Sequence, residues 1–190
     1  TPARRMEVSE EDRKAFRGLQ LLTAKPVLYV CNVEEEAAAE GNELTAKVAE
    51  MAAAQGAECV VISAKIEEEV SQLGDEAEKA EFLETLGLNE TGLARVIRAG
   101  YHLLDLITYF TAGPKEVRAW TVRRGAKAPE AAGVIHTDFE KGFIRAETIS
   151  YDDFLACNGE QGAKDAGKMR LEGKEYVVRD GDLMHFRFNV

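Results

Sequence analysis

The chain has 190 residues, of which 45% are hydrophobic and 31% charged, and its 34 carboxylates outnumber its 24 lysines and arginines for a formal net charge of −10. That is the composition of an ordinary globular chain of one or two modest domains, and its acidic balance argues against a general nucleic-acid binder. No segment approaches a transmembrane span or a secretory signal, and the cysteines (Cys31, Cys59 and Cys157) are odd in number and widely spaced. Reduced core thiols, a cytoplasmic location and no membrane partner are therefore expected.

Along the chain, Ser9-Glu10-Glu11-Asp12 is a capping pattern leading into a short helix with Phe16 and Leu19 as apolar positions. After Leu21 and Leu22, the run from Lys25 to Cys31 reads as a strand buried on both faces, as in a parallel sheet. It stops at Asn32, with Glu35 three places on. Leu44, Val48, Met51 and Ala52 recur at helical spacing and predict a helix over 42–55. The apolar run 58–62 is then a second strand, ending in Ser63-Ala64-Lys65. A right-handed crossover makes such strands parallel and brings their polar loops to one edge, where ligands of parallel sheets gather.

An asparagine amide offers a donor and an acceptor to a purine edge, and a nearby carboxylate accepts base N–H groups. Taken alone, Asn-x-x-Glu is a very weak pattern that reads more readily as a helix-start cap with acidic first-turn residues. Two further helices are predicted over 75–86 and 91–106, the second with Leu93, Val96, Ile97, Tyr101 and Leu104 at core spacing. Arg95 and Arg98 lie on its other side, as a solvated face or as ribosomal RNA contacts.

The charge shifts near Asp105: residues 1–105 carry 21 acidic and 11 basic side chains, whereas residues 106–190 carry 13 of each. From there the pattern becomes short apolar segments at 107–110, 117–122, 143–149, 169–171, 176–178 and 183–190, with a helix at 128–135 that has Pro129 in its first turn. Strand, strand, helix and further strands is the order of a β-grasp module.

With Asn32-Val33-Glu34-Glu35 followed one strand later by Ser63-Ala64-Lys65, the chain resembles the base-recognition half of Obg-group P-loop NTPases, specifically the YchF-type ribosome-associated ATPases. The resemblance implies the carboxyl-terminal half of a parallel nucleotide-binding sheet, with Asn32, Val33, Glu35, Ser63, Ala64 and Lys65 around the base. The usual Asn-Lys-x-Asp becomes Asn-x-x-Glu: Val33 replaces the lysine that lies along guanine, and the carboxylate is one methylene longer. In the family these changes accompany adenine preference, while a backbone N–H of the Ser-Ala-Lys loop suits guanine O6, so ATP is expected and GTP is the alternative. No Gly-x-x-x-x-Gly-Lys-Ser/Thr motif occurs in the sequence, and Gly173-Lys174 lacks its context. Phosphoryl transfer with Mg²⁺ would therefore need an amino-terminal half of the nucleotide domain outside this chain. Residues 1–22 resemble the arm by which a helical insertion returns, residues 23–106 the rest of that domain, and residues 107–190 the TGS domain that closes such proteins. The TGS likeness rests on Trp120-Thr121-Val122, the run from Gly133 to Phe139, the run from Gly142 to Glu147, and Val178-Arg179-Asp180-Gly181-Asp182.

TGS modules are associated with RNA and ribosome contacts, on the large subunit as the expected partner. Lys115, Arg118, Arg123, Arg124 and Lys127 face only Glu116 in charge, and Lys141 and Arg145 would join them in space. Trp120 or Phe143 would stack on an unpaired base if exposed, or belong to the core. His136, at a helix end, would cap carbonyls or take part in binding. The scattered His102, His136 and His185 show no metal-ligand spacing, and no nucleophile–base pair is visible. Two functions remain in view: the base-reading portion of an ATPase, and a non-catalytic RNA or ribosome adaptor.

Overall fold

The computed structural model describes residues 2–113 and 116–189, and the chain divides into two units, Thr1–Leu104 and Asp105–Val190. In the first, strands β1 (Leu28–Asn32) and β2 (Glu58–Ile62) pair in parallel with Asn32 opposite Ile62. Between them runs α2 (Glu43–Ala54). Asn42 Oδ1 accepts the N–H groups of Leu44 and Thr45, and Thr45 Oγ1 accepts that of Asn42, so the helix-start donors are satisfied locally. The amino-terminal arm, with α1 (Arg13–Gly18), is tied back to the end of α2: Arg4 donates to Gln55 Oε1 and Arg5 to the Ala54 carbonyl.

Ser63-Ala64-Lys65 is a helix start rather than a loop. Ser63 precedes α3 (Ala64–Gln72), whose Ile66 and Val70 are buried one turn apart. The helices α4 (Glu76–Thr85) and α5 (Gly92–Leu103) follow, capped by Asp75 and Thr91. Alternate β2 side chains serve opposite faces: Val61 meets Gly41 before α2, and Ile62 meets Gly92 at the first turn of α5. A Cβ on Gly92 would lie 2.9 Å from Ile62 Cγ2 and 3.0 Å from Glu67 Oε1, so the closeness of α5 to β2 depends on this glycine. The expectation of a first strand buried on both faces is not met. Val30 is 46% exposed, so the face of β1 that it occupies is not covered, and the sheet has no further strand among the described residues.

The second unit is a five-stranded mixed sheet in the order β4-β3-β7-β5-β6. β3 (Leu106–Ala112) and β4 (Val117–Arg123) form an antiparallel hairpin, and β7 (Leu183–Phe188) lies parallel to β3 at the centre. β5 (Phe143–Ile149) pairs antiparallel with β7 and with β6 (Arg170–Glu172). α6 (Ala128–Ile135) buries Ala128, Ala131 and Ala132 against Ile107, Tyr109, Val122, Phe143, Met184 and Phe186. The Tyr109 hydroxyl donates to the Ala131 carbonyl at 2.8 Å, and burial pushes its phenol pKa up.

The expected strand at 176–178 makes only an isolated bridge from Val177 to Lys127. Its neighbours serve a buried carboxylate instead: Asp182 accepts from the Tyr176 hydroxyl at 2.7 Å and from the Arg179 N–H at 2.9 Å. Burial and this bond push the Tyr176 phenol up to about 12. Three short helices were not foreseen: α7 (Thr137–Lys141), α8 (Tyr151–Ala156) and α9 (Glu160–Asp165). They are too short to show a helical period.

Candidate functional site

The end of β1 and the start of α3 meet through one hydrogen bond. Asn32 Oδ1 accepts the backbone N–H of Ala64 at 2.9 Å, while the Val33 N–H donates to the Ile62 carbonyl at 2.9 Å. An amide whose oxygen is held by the protein keeps for other partners its NH₂ group, which can only donate, and Asn32 is exposed. From the turn after β1, Glu35 Oε2 accepts from Lys65 Nζ at 3.1 Å. That contact raises the lysine pKa. The Lys65 side chain is 62% exposed and that of Glu35 is 34% exposed. The structure thus gathers Asn32, Glu35, Ala64 and Lys65 at one strand edge, with half-buried Val33 beside them. Ser63 is 2% exposed, and its hydroxyl has no hydrogen-bond partner among the described residues.

Glu67 is a site-building residue that the sequence reading missed. Its carboxylate accepts the N–H of Gly92 at 2.6 Å and of Leu93 at 3.1 Å. A carboxylate there satisfies orphan donors and lies at the positive end of the helix dipole, so α3 is latched to α5 from its first turn. Within Glu67-Glu68-Glu69 no pattern singles it out. A cavity of about 740 Å³ against the arm and another of about 480 Å³ beside β2 include none of Asn32, Glu35, Ala64 or Lys65. Cys31 and Cys59 are free and half-buried rather than core, with sulfurs 3.6 Å apart.

The expected basic cluster of the second unit is divided by its sheet. Arg118 pairs across β3 with Thr111 and shares the α6-covered face with Trp120 and Val122, whereas Arg123 points to the other face. Arg145 lies on β5, three ladder steps from β4, and Lys115 lies outside the described residues. Several cations are already engaged: Arg118 with Glu116 at 3.6 Å, Arg124 with Asp105 at 3.1 Å, and Lys127 with Glu175. Arg145 is 3.9 Å from Glu147. Lys141, at the end of α7, is exposed.

Phe143 is 3% exposed and belongs to the core, which removes it as a stacking platform. Trp120 is half-buried. Its indole donates to Thr111 Oγ1, and the Arg118 guanidinium lies 4.3 Å from its ring centroid. His136 does not cap carbonyls through its ring: Nδ1 accepts the Asp138 N–H at 3.2 Å and starts α7. In the first unit Glu90 holds Arg98 through both carboxylate oxygens, whereas half-buried Arg95 leaves its Nε unpartnered among the described residues. There, too, no group of three or more metal-ligating side chains is found, and no helix is long and apolar enough to cross a membrane.

Residues 106–189 match the family model YchF-GTPase_C, described as a protein of unknown function (DUF933). The "Ribosome-binding ATPase YchF" of Bacillus subtilis (strain 168) is 60% identical over 100% of this chain and 52% of its own length. Its namesake in Haemophilus influenzae is 59% identical over 98% and 51%. Among solved structures, the Schizosaccharomyces pombe YchF GTPase superposes with a TM-score of 0.85 at 38% identity, covering 98% of this chain and 50% of that one. The chain spans about half the length of the curated relatives it matches. Over its whole length the chain is similar to the carboxyl-terminal portion of YchF proteins.

Proposed function

We propose that this chain is the base-reading and ribosome-contacting portion of a nucleotide-hydrolysing ATPase. The observation that carries the reading is the bond from the Ala64 N–H to Asn32 Oδ1 at 2.9 Å. It holds the amide oxygen, so that the NH₂ remains as a donor for purine N7. Val33, Glu35, Ser63 and Lys65 complete the surroundings of the base, and Glu67 holds the α3 side of the site in place. The residues fit the base of ATP or GTP. They do not fit Mg²⁺, since no ligand cluster occurs among the described residues. The metal and the phosphates are assigned to a phosphate-binding loop outside this chain, and no step of hydrolysis is derived from its residues.

The second unit, read as a TGS module, supplies the ribosome contact in a cytoplasmic protein, with the large subunit as partner. The names of the relatives support the ribosome contact, as do Arg123 and Lys141, which stand outside the ion pairs that engage Arg118, Arg124 and Lys127. Competition binding in the full-length protein tests the first part: Asn32→Ala should weaken ATP about tenfold, the worth of one well-placed hydrogen bond to the base. Unchanged affinity would leave the adaptor reading, in which ribosome association survives Asn32→Ala and weakens with salt.

A further inference from the structure

Guanine and adenine share N7, but guanine presents O6 as an acceptor where adenine presents an N6–H₂ donor. Guanine also carries N–H donors at N1 and N2. A site that selects guanine therefore needs an N–H for O6 and a carboxylate for those donors. This chain places both groups at the end of β1, and both are already engaged. The Ala64 N–H is given to Asn32 Oδ1 at 2.9 Å, and Glu35 Oε2 accepts from Lys65 Nζ at 3.1 Å. The Asn32 NH₂ remains, and N7 of either purine accepts it.

We propose that Lys65 is a specificity-determining residue: by holding Glu35 it withdraws the carboxylate that would distinguish guanine, so the site accepts adenine without a guanine advantage. Of the two engagements, the Ala64 bond is part of how Asn32 is oriented and cannot be released without losing the reader itself. The Lys65 contact can be released, because it joins two side chains across the site and its lysine is 62% exposed. An exposed pair is also screened by salt, so the discrimination it imposes should fade as ionic strength rises. This inference rests on the base-reading role proposed above for Asn32.

The test is competition binding of ATP and GTP to the full-length protein, reported as the ratio of the two affinities so that shared phosphate contacts cancel. Lys65→Met should raise the GTP-to-ATP ratio about fivefold, the upper end for an exposed ion pair, whereas Lys65→Arg should keep the wild-type ratio. Added KCl should move the wild-type ratio toward that of Lys65→Met and leave the variant's ratio unchanged. A ratio unaffected by Lys65→Met, or a wild-type ratio insensitive to KCl, overturns the proposal. Asn32→Ala separates the two levels: if it alters neither nucleotide, base reading itself is wrong; if it weakens both while Lys65→Met leaves the ratio alone, only the role of Lys65 falls.

Discussion

In the second unit one face of the sheet is shut against α6, and Tyr109, Ala128, Ala131, Ala132 and Ala146 keep no exposed surface, although Val117, Ile144 and Leu171 elsewhere on its strands are exposed. In the first, Val30 on β1 and Leu93 and Ile97 on α5 are 46%, 60% and 52% exposed, and the smaller buried cluster of Ala38, Ile66, Val70, Leu83 and Leu88 lies around α3 and α4. One unit is therefore held by apolar closure. The other leans on polar devices at element ends: the Asn42–Thr45 box, the Thr91 cap and the Glu67 latch. The proposed base-reading residues belong to the second kind of architecture. Their geometry is set by a few hydrogen bonds and should yield to single substitutions that leave the fold standing.

The sharpest way to break this comparison is Phe143→Ala, which opens a cavity in the closed unit and should cost about 3–5 kcal/mol. The single tryptophan, Trp120, reports that unit by fluorescence in urea. Amide exchange at Val60 should stay unchanged, and equal loss in both units would contradict their separate cores. Gly92→Ala sets a methyl against Ile62 and Glu67 and should destabilise the first unit by about 1–3 kcal/mol, read by amide exchange across α5. Asn42→Ala removes a cap whose oxygen accepts two N–H groups and should cost about 1 kcal/mol, seen as faster exchange at Leu44 and Thr45.

The smallest effect carries a pH signature. Arg187 holds the Glu147 carboxyl below the usual carboxylate range, chiefly by hydrogen bonding and against desolvation. A lowered folded-state pKa contributes stability above the ordinary carboxylate value and loses it as pH falls through the lowered one. Arg187→Ala should therefore cost under about 1 kcal/mol at neutral pH, and its urea midpoint should rejoin that of the wild type in acid. A gap that persists or widens in acid would assign the effect to packing instead.

Much of this organisation was legible where one element obeyed one rule. The β1-α2-β2 unit was read from two apolar runs and the helical period between them. α6 was read from Pro129 in its first turn, and β5 from a short apolar segment at 143–149. The errors share a cause. α3 begins inside what looked like a loop because its two buried residues sit among Glu67, Glu68 and Glu69. α7, α8 and α9 have five or six residues each, held by caps at His136 and Ser150 or by helix packing. The proposed base-reading residues could be named from type and order, but their wiring could not. That Asn32 takes the Ala64 N–H, that Lys65 takes Glu35, and that Glu67 reaches α5 are three-dimensional facts with separations of 25 to 32 residues. The basic segment shows the reverse failure, since nearness in sequence suggested one patch and strand alternation put Arg118 and Arg123 on opposite faces.

The most direct measurement is titration of the isotopically labelled chain with AMP, followed residue by residue by NMR. The account predicts saturable shifts of the Asn32 side-chain NH₂ and of the Ala64 and Lys65 N–H groups, with Thr108, Thr121 and His185 unmoved. Shifts concentrated in the second unit, or none at Asn32 when binding saturates, would contradict it.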